Sequence, residues 1–133
     1  MFNSKKILAI ISLVLISVCL FTSCGSSPDS PEELVEIFEE ALNDRDAKAL
    51  FDIAEDARLG VNTVETYEEF IDNFESNFGE DFKVKIKIID VEQEKNDEAD
   101  ISIMAFFESS TGDNSFEETF SVEKVDGKWW WVD

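Results

Sequence analysis

The chain of 133 residues carries 31 Asp and Glu against 11 Lys and Arg, a formal charge of −20, with two Cys and no His. Binding a phosphate backbone needs a cationic surface that releases counterions, so this balance excludes nucleic acid as a partner, and it excludes electrostatic adhesion to anionic lipid as well. Hydrophobic residues make up 44 %, with 12 Phe and 3 Trp, which is enough for one packed domain rather than a disordered acidic chain.

Met1 to Lys6 holds two lysines and no acid, and residues 7–21 (ILAIISLVLISVCLF) follow as an unbroken run of apolar and small residues. A stable membrane-spanning helix needs about 20 apolar residues, so this run is short for a permanent span. A basic start, an apolar stretch and small residues at Thr22-Ser23 instead read as an export leader. An ordinary leader is cut after a small-x-small triplet, and Phe21 breaks that pattern. Phe21-Thr22-Ser23-Cys24 resembles the bacterial lipoprotein signal, with Phe21 where Leu is usual. That resemblance implies that Cys24 takes a diacylglycerol and becomes the new N-terminus. Cys19 would leave with the leader, and Cys24 would then have no partner for an internal disulfide. The expected organisation is a leader over 1–23, a lipidated Cys24 with a flexible tether over 24–29, and a folded domain over 30–133. The expected location is the extracytoplasmic face of a bacterial membrane, held by the lipid.

Ser30-Pro31-Glu32-Glu33 is a helix start with a cap, a first-turn proline and a capping box. Leu34, Val35, Phe38, Ala41 and Leu42 then recur at helical spacing, with Glu36, Glu39 and Glu40 outside. Asn43-Asp44-Arg45 breaks the pattern, and Asp46 caps a second helix carrying Ala47, Leu50, Phe51 and Ala54. Residues 58–64 read as a loop. Thr66 and Glu69 form another capping box, ahead of a third helix with Tyr67, Phe70, Ile71, Phe74 and Phe78 on one face. From Asp81 the period becomes two. Phe82, Val84, Ile86 and Ile88 alternate with lysines, and two further alternating sets run over 101–107 and 116–122. Asp126-Gly127 is a hairpin turn before the closing tryptophans. The expected fold is α+β: three N-terminal helices packed on a curved four-stranded antiparallel sheet. In that register Val122 faces Trp131 and Lys124 faces Trp129, on the side the helices cover, with Ile86, Ile103, Phe107 and Phe120.

The helical front half, the Asn43-Asp44-Arg45-Asp46 break and the closing Val125-Asp-Gly-Lys-Trp-Trp-Trp-Val132 resemble the nuclear transport factor 2-like (cystatin-like) cone fold. The chain is similar in particular to small bacterial lipoproteins of uncharacterised function built on it. Sheet-to-sheet dimers are common in that superfamily, and some of its enzymes use an Asp and a Tyr inside the cone.

With no His and one Cys in the mature chain, the usual nucleophile–base pairs and zinc sites are excluded, and no catalytic residue, metal ligand or cofactor site is assigned. Asp44 to Ala49 with Glu55 mimics a calcium loop but places Lys48 at a ligand position and Ala49 where the turn needs Gly; these acids read as helix caps. Lys83, Lys85 and Lys87 form a ladder whose stems are expected to cover Met104 and Phe106 while their charges balance Asp100, Glu117 and Glu123. Glu118 falls on the helix-facing side between Phe116 and Phe120, so it either lines a cavity or sits at its rim. Tyr67, Glu118, Trp129 and Trp131 are the candidate cavity residues. Met104, Phe106, Trp130 and Val132, on the outer face, are the candidate interface, for a homodimer or another surface protein. The reading that follows is a membrane-anchored binding or accessory module without enzymatic activity. The alternative is a small-ligand carrier or enzyme using the cone near Glu118.

Overall fold

In the computed structural model residues 28–132 are described; the expected leader, Cys24 and most of the tether lie outside them. Helix α1 (Pro31–Asp44) begins as expected. The Ser30 hydroxyl accepts from the Glu33 N–H at 3.1 Å, and Pro31 occupies the first position. The Glu33 carboxylate reaches back to the Asp29 N–H at 3.0 Å, one residue before the group a capping box uses. Leu34, Val35, Phe38, Ala41 and Leu42 are its buried stripe.

The expected second helix is divided into α2 (Ala47–Asp52) and α3 (Glu55–Leu59). Ala54 is extended (φ −90°, ψ 146°) and forms a parallel bridge with Trp131, whose N–H donates to the Ile53 carbonyl at 2.8 Å. The end of the chain needs a backbone partner there, and that tertiary demand overrides the helix propensity of Ala54. The chain therefore holds four helices among the described residues, and the first part of the expected loop is helical up to Gly60. Helix α4 (Val64–Phe78) starts after Thr63, so Thr66 lies within its first turn and the Thr66–Glu69 capping box does not form.

The sheet is the expected meander, β1 (Lys83–Lys95), β2 (Glu98–Glu108), β3 (Asn114–Val125) and β4 (Lys128–Trp131), antiparallel in the order β1-β2-β3-β4. Asp126 (φ 55°) and Gly127 (φ 78°) form the last turn, both in the left-handed conformation that suits the twist of a two-residue hairpin. The register pairs Val122 with Trp131 and Lys124 with Trp129, as expected. The β1–β2 pairing shifts at Ile89 and again between Gln93 and Lys95, and beyond Ile89 β1 continues as a long, mostly polar ribbon to Lys95.

The helix-facing side of the sheet, with Val84, Ile101, Ile103, Phe107, Phe120 and Val122 buried, closes on α1 and on the C-terminal half of α4. Phe78 of α4 stacks on Phe107 at 4.0 Å between ring centroids, and Phe107 stacks in turn on Phe116 at 5.6 Å. Aromatic contacts of this kind anchor one end of α4. Its other end, at Tyr67 and Phe70, stands away from the strands.

Two polar devices lock the helices to β1. Arg45 takes up the left-handed position that ends α1 (φ 57°) and lays its guanidinium over the Phe82 ring at 3.5 Å. It donates to the carbonyls of Leu42, Glu80 and Phe82 at 2.8, 3.0 and 2.9 Å and reaches Glu75 at 3.4 Å. Asn43 and Glu39 cover the outer edge of β1. The Asn43 amide donates to the Val84 carbonyl at 2.9 Å and accepts from the Val84 N–H at 2.8 Å, and the Glu39 carboxylate accepts from the Ile86 N–H at 2.6 Å. The side chains of α1 thus act as a substitute strand, and the bulge at Ile89 turns the remainder of that edge aside.

Candidate functional site

Because α4 is pinned to the sheet only at its C-terminal end, a cleft opens beneath its first two turns. One part, of about 590 Å³, lies among α3, α4 and the end of β4 and is lined by Phe38, Asp56, Asn62, Tyr67, Phe70 and Trp131, among others. A second, of about 300 Å³, runs on between α4 and the concave sheet, lined by Phe70, Phe74, Phe116, Glu118, Phe120 and Trp131 with further apolar neighbours. Phe38, Phe70 and Trp131 belong to both, so the two form one continuous aromatic-walled recess.

Trp131 sits where they meet. Its indole stacks on Phe120 at 4.6 Å and meets the edge of Phe38 at 4.3 Å. The bridge to Ala54 fixes its backbone, so a large aromatic wall stands on a rigid element. At the α3 side, Asp56 accepts on Oδ2 from the Tyr67 hydroxyl at 2.8 Å and from the Asn62 amide at 2.9 Å. Asn62 adopts a positive φ of 58° that turns it back toward α3, a conformation Asn tolerates well. A carboxylate hydrogen-bonded to a phenol, both facing the recess, can hold or pass one proton.

The carboxylates lining the recess are Glu55, Asp56, Glu69 and Glu118, and no Lys or Arg lines it. Glu55 is paired with Arg58 at 2.9 Å, while the hydrogen bonds on Asp56 come from neutral groups. The recess is consequently apolar in its walls and negative at its rim. Among the described residues no group of acids is arranged to hold a metal ion, and Asp46 caps α2 by accepting from the Ala49 N–H at 3.1 Å.

Of the four residues expected to line a cavity, Tyr67, Glu118 and Trp131 do, with Glu118 exposed at the rim. Trp129 lines neither part; it is only 4 % exposed, packed in the core, and its N–H donates to the Pro28 carbonyl at 3.1 Å. Sequence reasoning missed Phe38, Asp56 and Phe70 as wall residues. Asp56 was hidden because residues 55–59 form a helix unforeseen in the pattern.

The four outer-face residues do not form the single patch expected of them. The register puts Met104 in a row with Lys87 and Glu117, and Phe106 with Lys85 and Ser115, whereas Trp130 lies opposite Glu123 and hence beside Glu98. Six residues of β2 separate those rows, about 20 Å. Phe106 is 43 % exposed, Trp130 is covered by the Lys128 ammonium at 4.3 Å, and Val132 turns its N–H to the Ser121 carbonyl and lines the recess beside Trp131. Burial lowers the Lys128 pKa, an effect partly offset by Asp52. The lysine ladder runs beside Met104 and Phe106 as expected, but among the described residues none of its ammonium groups pairs with Asp100, Glu117 or Glu123 within ion-pair distance.

No protein-family model matches the chain, and no curated protein sequence does. Solved structures do. A SEC-C motif containing protein from Rhodopseudomonas palustris superposes with a TM-score of 0.61 at 16 % identity, over 80 % of this chain and 78 % of that one. A Campylobacter jejuni NTF2-like protein with an attributed transpeptidase role gives 0.60 at 19 %, over 78 % and 98 %. An NTF2-like protein of unknown function from Shewanella oneidensis gives 0.56 at 17 %, over 75 % and 89 %. At such identities the likeness is one of fold, and the fold is NTF2-like.

Proposed function

We propose that the protein is a lipid-anchored module on the extracytoplasmic face of a bacterial membrane, and that it binds rather than transforms its ligand, in the recess beneath α4. The observation that carries this reading is the continuous aromatic-walled cleft around Trp131, negative at its rim and lined by no cation. Such a site favours a group that is apolar with a positive charge, because aromatic faces and carboxylates both attract cations. No helix among the described residues is long and apolar enough to cross a membrane; the proposed attachment is the lipid on Cys24.

The lipid is tested first. Cys24→Ser is expected to abolish labelling by a palmitate analogue, since the thiol is the proposed acyl acceptor. Label persisting on the variant would defeat the anchor. The cleft is tested with benzyltrimethylammonium and benzenesulfonate on the acyl-free Cys24→Ser protein. The cation is expected to raise Tm by mass action and the anion to leave it unchanged. Trp131→Ala should remove the cation's effect. Equal responses to both probes, or none, would sink the reading.

A second reading is favoured by one observation, the Asp56–Tyr67 hydrogen bond of 2.8 Å inside the cleft. Enzymes of the resembled superfamily use these residue types in the cone, and here the pair would serve as a proton acceptor and donor. Asp56→Asn separates the two: a proton-transfer role predicts loss of all turnover, whereas a binding role predicts only a partial weakening of the cation as one of four lining carboxylates is lost.

A further inference from the structure

The two edges of the sheet are treated differently. At β1, Asn43 and Glu39 occupy the backbone groups of Val84 and Ile86, and a bulge follows. At the other side β4 is short and pairs only with Val122 to Val125 of β3. The Ser121 carbonyl accepts from Val132; among the described residues, nothing pairs with the β3 edge from Asn114 to Phe120. This stretch holds an unbroken register with β2, with no bulge to interrupt its edge.

The direction of its free groups follows from alternation. In an antiparallel strand, successive residues direct their N–H and C=O to opposite neighbours. The Ser121 carbonyl points to the β4 side, so Ser115, Glu117 and Thr119 also point their backbone groups off that edge. The intervening Phe116, Glu118 and Phe120 turn their side chains into the recess. An open ladder and an apolar groove therefore lie side by side, in the arrangement used for strand addition: the ladder supplies affinity, and the groove reads alternate side chains.

Charge selects the occupant. Helix α4, across the groove, holds Glu65, Glu68, Glu69, Asp72 and Glu75 with no Lys or Arg, and β3 from Asn114 to Glu123 holds none either. A second copy pairing by this edge would bring Glu117 and Glu118 against their own equivalents, which opposes association. We propose that the open edge of β3 takes up an extended peptide segment bearing lysine or arginine, adding it as a further strand beside the cleft. This rests on the cleft being a binding site and names the class of partner.

The probe is an acetylated, amidated hexapeptide of alternating Lys and Val, added to the Cys24→Ser protein. Binding is expected to slow amide exchange at Ser115, Glu117 and Thr119, and a Glu–Val hexapeptide to bind at least tenfold more weakly. Glu117→Pro removes an N–H that serves no ladder in the fold, and proline is tolerated at such edge positions; it is expected to weaken the Lys–Val peptide at least tenfold while benzyltrimethylammonium still binds. The double variant Glu117→Lys/Glu118→Lys, which leaves the backbone intact, should reverse the preference between the two peptides. Undiminished binding to the proline variant, no protection of the three amides at millimolar peptide, or a dimer of the protein alone that Glu117→Pro dissolves would overturn the proposal. Failure of the ammonium probe as well would instead indict the cleft.

Discussion

Arg45→Ala is expected to lower the unfolding free energy by about 3 kcal/mol, a large share of what a domain of this size holds. The guanidinium gathers three parts of the chain that sequence separates: the end of α1 through Leu42, the end of α4 through Glu75, and the approach to β1 through Glu80 and Phe82. Truncation strips donors from the Leu42 and Phe82 carbonyls, in part-buried bonds, and from the exposed Glu80 carbonyl, which water can serve instead; each buried carbonyl left without a partner costs about 1–3 kcal/mol. It also removes the cation from the Phe82 face, about 0.5–2 kcal/mol. Arg45→Lys should recover less than half, because one ammonium cannot reproduce a planar fork that serves carbonyls and stacks on a ring together. Arg45→Gly should be less harmful than Arg45→Ala, by about 1 kcal/mol. Both lose the same contacts, but φ of 57° strains alanine and not glycine. Urea denaturation of the three variants checks both the size and the order. Alanine equal to or better than glycine would mean that residue 45 has left the left-handed conformation.

That residue also marks how far the sequence could be read. The break at Asn43-Asp44-Arg45 was visible as a loss of helical period, and its meaning was not, because nothing local shows that a side chain will bond to carbonyls about 35 residues later. The pattern at Ser30-Pro31, the switch to period two after Asp81 and the Asp126-Gly127 turn were legible because each is decided by neighbours in sequence. From the turn, alternation alone gave the faces of β3 and β4, and with them the positions of Trp131 and Glu118. What failed was tertiary. Ala54 leaves a helix to pair with Trp131, residues 55–59 coil in what read as the start of a loop, and Glu39 bonds to β1 from a position that read as solvated. The cleft depends on those same events, which is why Asp56 and Phe70 could not be found from the sequence while Tyr67, Glu118 and Trp131 could. Trp130 was assigned the right face but the wrong neighbours, since a face follows from parity and a neighbour needs the full register.

Two adjacent phenylalanines on β2 turn this distinction between faces into an energy difference. Phe107→Ala is expected to cost about 3–5 kcal/mol, the usual range for a buried phenylalanine. It is 1 % exposed and its ring meets Phe74, Phe78, Phe82 and Phe116, the contacts that pin α4 to the sheet. Phe106→Ala deletes the same atoms one residue earlier, but that ring is 43 % exposed on the outer face beside the stem of Lys85, and its cost should be below about 1 kcal/mol. The pair holds residue type, strand and helix content constant, so only the face differs. Chemical denaturation of both gives the stability terms. The cleft should respond too, because Phe107 closes its inner end. The space opened by Phe107→Ala is continuous with the recess, so an apolar cation such as benzyltrimethylammonium should stabilise that variant at least as much as the parent. Phe106→Ala should leave that response untouched. Comparable losses for the two variants would mean that the helices cover the sheet differently. The cleft and the role of Trp131 would then have to be reassigned together, since both depend on which side α4 packs against.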